Sequence, residues 1–169
     1  MLPRAAERVT LSTGASRDRA NLVTIAVLTA ILAGLHFADH VLRGENVRSA
    51  RLDPHWDHSG WPFQDHFTPF SASLIAVAVI LLGGIVLTLA GKLWAGYWLA
   101  AAVLLAALVA QVHLIPGSHQ ESASVIYRSW VGHPLVGALA VTNTFVILSC
   151  LLIMGINAYR VGRRSRRWR

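Results

Sequence analysis

Residues 36–43 read His-Phe-Ala-Asp-His-Val-Leu-Arg. On a helix turning 100° per residue, Asp39, His40 and Arg43 fall within about 60° of His36, so the four polar side chains share one narrow stripe. Two imidazoles at i and i+4 can bind one metal ion from a single helix. A carboxylate beside them can be a third ligand or can orient a ligand imidazole. The following segment adds His55, Asp57, His58, Asp65 and His66, set among Trp56, Trp61 and Phe63. Disordered linkers are poor in aromatic residues, so this stretch is expected to fold as a cap. Gln111 and His113 close a later apolar run, and His119, Glu121 and His133 follow it.

Imidazole combined with carboxylate suits zinc, copper or non-haem iron. The candidate metal ligands are therefore His36, Asp39, His40, His66 and His113. Supporting positions are Arg43, His55, Asp57, His58, Asp65, Gln111, His133 and Asn143. A plainer account needs no ligand at all. Asp39 pairs with Arg43 at i+4 as a helix-end ion pair, and the histidines are hydrogen-bonded residues at the membrane interface.

These residues are positioned by elements that the composition makes legible. The chain has 169 residues, of which 54% are hydrophobic and 14% charged, with a mean hydropathy of +0.51. Soluble domains carry about 25% charged residues, so a soluble globular fold is excluded. Four segments, residues 21–43, 67–91, 93–115 and 135–159, each approach the roughly 20 residues that a helix needs to cross about 30 Å of hydrocarbon. The expected fold is all-α, an integral membrane four-helix bundle, with the first outer loop folded over its mouth. The spans form one domain, 21–159, flanked by basic tails at 1–20 and 160–169. Prolines agree: Pro69 and Pro134 open spans and Pro116 ends one, where a missing N–H costs least. Gly83, Gly84 and Gly91, and Ala102, Ala106 and Ala110, mark faces where backbones approach closely.

Eleven Lys and Arg residues fall in the tails and at Lys92, against four at Arg43, Arg48, Arg51 and Arg128. The positive-inside rule then sets both termini in the cytoplasm of a cell-membrane protein. The formal charge of +7 reads as a topology signal and a contact for anionic lipids rather than for nucleic acid, because no aromatic platform accompanies it. A polar stretch precedes the first span and no small-x-small site follows it, so it reads as an uncleaved helix. On this topology all eight histidines face outward or lie in the outer halves of spans.

A single cysteine, Cys150, excludes an internal disulfide and a cysteine-based cluster. No phosphate loop, nucleophile elbow, H-E-x-x-H, C-x-x-C-H or internal repeat is present. Three functions remain. The first is an outward-facing metal site, in a membrane enzyme acting on a lipid-soluble substrate or in a metal carrier. The second is a non-catalytic accessory or scaffold subunit of a membrane complex, its histidines interfacial or titrating near neutral pH. The third is a b-type haem protein, with His36 or His40 and His113 as axial ligands. Asn143, well inside the fourth span, is expected to hydrogen-bond between helices.

Overall fold

Backbone groups in lipid must be satisfied within the protein, and a helix does this inside one segment. A computed structural model of the chain describes residues 4–50, 69–92, 94–115 and 122–166; five helices and no strand are found among them. They are α1 (Arg4–Ala50), α2 (Pro69–Leu89), α3 (Ala95–His113), α4 (Ala123–Ser129) and α5 (Pro134–Arg166). Four contain stretches long and apolar enough to cross a membrane: Ser16–Gly44, Ser71–Leu89, Ala95–His113 and Pro134–Arg164. The described residues thus fold as helices, and four of these are long and apolar enough to cross a membrane. The cap expected over residues 51–68 lies outside the described residues.

Three elements differ from the sequence expectation. The first span is the middle of a single helix of 47 residues, about 70 Å long at 1.5 Å per residue. Nothing after Pro3 interrupts it, and Ala5, Ala6, Glu7 and Arg8 are good helix formers. In the same way α5 carries on through Arg163 and Arg164 to Arg166, so much of what reads as tail is helix. The connection after span three contains the short helix α4. Ile126 and Ser129 are its buried residues, an i, i+3 pair that gives seven residues one inward face.

The turn between α2 and α3 ends α2 in a Schellman motif. Gly91 sits at φ +86°, its N–H bonds the Thr88 carbonyl at 3.1 Å, and Lys92 N–H bonds Leu87 at 2.9 Å. Glycine takes this left-handed conformation without a Cβ penalty. The chain then returns so that Trp98 Nε1 donates to Thr88 Oγ1 at 2.9 Å and Tyr97 Oη donates to the Ile80 carbonyl at 2.5 Å.

α5 packs on α1, α3 and α4, and α1 also packs on α2. The core joins Leu22 and Ala26 of α1, Leu81 of α2, Trp98 and Leu105 of α3, and Leu151 and Met154 of α5. Large apolar side chains such as Leu35, Val79, Leu104 and Leu139 point outward from the helices. A soluble monomer does not carry that much exposed apolar surface; a lipid-facing one does. Close approach relies on small residues: a Cβ on Gly155 would touch the Ala102 methyl at 3.4 Å.

Gly84 is the tightest of these contacts. A Cβ there would lie 2.6 Å from a Tyr97 ring carbon and 2.8 Å from one of Trp98, whereas at Gly83 the nearest group is the Tyr97 hydroxyl at 4.0 Å. Gly84→Ala is expected to destabilise the protein by about 1–3 kcal/mol through overpacking. Gly83→Ala is expected to be neutral or slightly stabilising, since alanine favours helix. Thermal unfolding of the two variants in detergent checks the contrast.

Candidate functional site

The polar stripe of α1 faces the protein interior. It lies at the end of the molecule opposite the Asp18–Arg164 ion pair that joins the N-terminal part of α1 to the C-terminal part of α5. His36 stands about 27 Å along α1 from Asp18. Arg43 is 1% exposed and His40 6%, which few helix-end polar residues are. Arg43 Nε lies 3.4 Å from Asp39 Oδ2, and the Asp39 side chain is 12% exposed. Trp130, at the end of α4, donates its indole N–H to Asp39 Oδ1 at 2.9 Å. Two turns beyond Asp39, Asn46 Nδ2 donates to the Ser129 carbonyl at 2.6 Å. These two bonds dock α4 onto α1. Gly137 clears the space on the other side, because a Cβ there would lie 2.8 Å from the Tyr127 carbonyl oxygen.

Deeper along the same face, His36 meets His113 of α3 edge to face, with ring centroids 5.0 Å apart and planes at 89°. Asn143 Nδ2 donates to the Leu32 carbonyl at 3.0 Å. In an α-helix that carbonyl also accepts from the His36 N–H, so α5 grips the turn of α1 that carries the imidazole. Below the two rings is a cavity of about 230 Å³. All four long helices line it, with Ala33 and Phe37 from α1, Val77 from α2, Val109 from α3 and Ile147 from α5. Its polar groups are the imidazoles of His36, His40 and His113 and the hydroxyls of Thr29 and Ser73. The Thr29 hydroxyl donates back to the Ile25 carbonyl at 2.7 Å.

The expected site residues are thus divided. His36, His40 and His113 share one cavity. Asp39 turns to Trp130 and Arg43, as the plainer account of the stripe had it for the arginine. Asn143 bonds between helices. Gln111 is exposed, directed away from the cavity, and His133 is exposed with its ring edge-on to Trp130 at 6.5 Å. His55, Asp57, His58, Asp65, His66, His119 and Glu121 lie outside the described residues. Among the described residues, no three His, Cys, Asp or Glu side chains gather into a set that would hold a metal ion.

Sequence reading missed Trp130, Asn46 and Ser129 as partners of the stripe, and Thr29 and Ser73 as cavity residues. Trp130 reads from sequence as one of an interfacial belt. Its usable signal is that a buried indole N–H seeks an acceptor, and Asp39 is the one acid within the four apolar spans.

Asp39→Asn removes the opposite charge beside a buried guanidinium and is expected to destabilise the protein by about 3–5 kcal/mol. Combining it with Arg43→Met is expected to recover part of that loss, because the charge itself is then gone. Trp130→Phe loses a hydrogen bond to a charged group and is expected to cost less, about 1.5–3 kcal/mol. Denaturation of the variants by sodium dodecyl sulfate in mixed micelles, analysed as a double-mutant cycle, measures all three.

No known family model matches this sequence, and comparison with curated proteins and with solved structures finds no match, so its function is read from the site's own geometry.

Proposed function

We propose that this chain is a four-helix bundle of the cell membrane, both termini cytoplasmic, whose outward cavity binds a lipid-soluble ligand. The apolar walls take the body of the ligand, and His36, His40 and His113 read one hydroxyl or carbonyl on it. The excess of Lys and Arg at the end carrying both termini supports that orientation. The observation that carries the function is the cavity itself: apolar walls drawn from four helices, with imidazoles gathered at one end. Ligand sites characteristically combine mostly apolar walls with a few convergent polar groups. A dry apolar cavity of about 150 Å³ takes up benzene, so 230 Å³ suits one ring with short substituents. Neutral imidazole offers one donor and one acceptor nitrogen, and can therefore recognise either a carbonyl or a hydroxyl.

A second reading, a transition-metal site, is favoured by the His36–His113 pair. Metal–nitrogen bonds of 2.0–2.1 Å at a tetrahedral angle put two ligand imidazole centroids about 5 Å apart, against 5.0 Å here. No third ligand joins the pair among the described residues; His66, outside them, is the sequence's candidate for that place. Zinc, copper or iron held there could activate water towards a lipid-soluble substrate or be held for delivery to a partner. The same contact counts against haem held between His36 and His113. Axial imidazoles lie on opposite faces of the macrocycle, and rings in edge-to-face contact leave no space for it. An accessory-subunit reading keeps the Asp39–Arg43–Trp130 network and makes no use of the cavity.

Phenol and toluene, equal in size and differing in a hydroxyl, test the first reading. Phenol is expected to raise the Tm of the detergent-purified protein more than toluene does. Val109→Trp, which fills the cavity, is expected to abolish both effects, and His36→Phe the difference between them. Equal responses from the native protein and Val109→Trp would overturn the ligand reading. Cobalt(II) tests the second: about one ion per chain with visible d–d bands, lost in His36→Ala/His113→Ala, is the result expected of a metal site.

A further inference from the structure

The opposite end of the molecule carries a second concavity that the cavity reading does not use. It is a groove of about 800 Å³ between α3 and α5. Its walls begin at Ala106, Leu151 and Gly155, continue past Ile156, and end at Tyr159, Arg160, Arg163 and Arg164. From Leu151 to Arg164 the helix rises about 20 Å, a little more than one leaflet of a roughly 30 Å hydrocarbon layer. The small side chains of Ala102, Ala106 and Gly155 open the groove. Leu152, Val103 and Ile156 are among its exposed apolar residues, at 56%, 59% and 51%.

The charge at its mouth is one-sided. No acidic residue follows Glu121 in the sequence. Asp18 reaches across from α1 and takes Arg164 Nη1 at 3.1 and 3.2 Å to its two oxygens. The Arg163 guanidinium sits 5.8 Å over the Tyr159 ring, which holds it at the groove lip. Among the described residues, three guanidinium groups thus line the groove and Asp18 meets one of them. An occupant must be apolar for one leaflet's depth and anionic at its end.

We propose that this groove binds one anionic glycerophospholipid, its acyl chains along Ala106, Gly155 and Ile156 and its phosphate on Arg160, Arg163 and Arg164. Basic pockets between membrane helices are a recurrent means of holding phospholipid headgroups, and guanidinium matches phosphate oxygens in a bidentate fork. The groove adds a defined position and stoichiometry to the general attraction of a basic tail. It shares one lining residue, Leu151, with the ligand cavity at the far end.

Native mass spectrometry of the full-length protein in detergent, offered equal amounts of phosphatidylglycerol and phosphatidylcholine with the same acyl chains, tests this. One phosphatidylglycerol per chain is expected, preferred by at least about tenfold, as contact with two or more arginines provides. Arg160→Gln/Arg163→Gln/Arg164→Gln is expected to lose the preference. Should that variant not fold, Arg160→Gln/Arg163→Gln keeps the Arg164–Asp18 pair and is expected to reduce it. Arg17→Gln/Lys92→Gln, two described cations that do not line the groove, is expected to retain it. Val103→Trp/Leu152→Trp, which crowds the groove with every arginine present, is expected to lower retention of both lipids. Equal retention of the two lipids by the native protein would overturn the proposal. So would loss of preference in the Arg17/Lys92 variant with retention in the groove variants, or undiminished binding with the groove filled.

Discussion

A charged side chain within an apolar layer must find its counter-charge inside the protein, because lipid offers none. Asp39 and Arg43 meet that demand together, and much of the far end of the molecule follows from it. Their positions one turn apart on α1 bring carboxylate and guanidinium within 3.4 Å. His36, Asp39, His40 and Arg43 share one arc of the helix, so turning the ion pair inward turns both imidazoles inward as well. The remaining Asp39 oxygen accepts from Trp130, and this bond draws the short helix α4 over the ends of α1 and α5. An apolar pair of similar volume could equal this arrangement in stability, but would not dictate which face of α1 looks inward.

The helices are clasped at both ends and packed differently between them. Near the termini, Asp18 meets Arg164, and Gly84 admits the rings of Tyr97 and Trp98 against the α2 backbone. At the other end, Asn46 and Asp39 hold α4. Between these clasps, Ala33 and Ser73 are too small to fill the space that Phe37 and Val109 border. Collapse of the cavity would require the four surrounding helices to move inward, and contacts at both ends oppose this.

The four apolar spans are legible in sequence because a run of about 20 apolar residues in lipid has one economical conformation. Their termini are not, since hydropathy reports where the membrane ends rather than where hydrogen bonding ends. Hence α1 runs from Arg4 to Ala50 while its apolar part begins near Asn21. Helix α4 escapes the same reading, because seven residues make too short a periodic signal. The stripe on α1 is legible because 100° per residue fixes which side chains share a face. Its partners are not, as the meeting of His36 with His113, or of Asp39 with Trp130 some ninety residues later, depends on how helices pack. Gln111 shows the limit: two residues from His113 on the same helix, it is turned by about 160° and faces outward.

The cavity is the feature for which stability alone offers least reason. Unfilled volume in a packed interior costs roughly 24 cal/mol per Å³, and the space beside Ala33 and Ser73 is left unfilled by the side chains around it. Larger side chains at Ala33 or Ser73 would remove that cost without disturbing the ion pair above. Their small size, together with three imidazoles at one end of mostly apolar walls, has a different consequence. A molecule that occupies the space recovers the lost dispersion contacts and meets donors and acceptors already in place, held by helices that pack against one another. Such a site gives specificity through the position of one polar group on an apolar body, and the rigidity around it limits the ordering that binding would otherwise require.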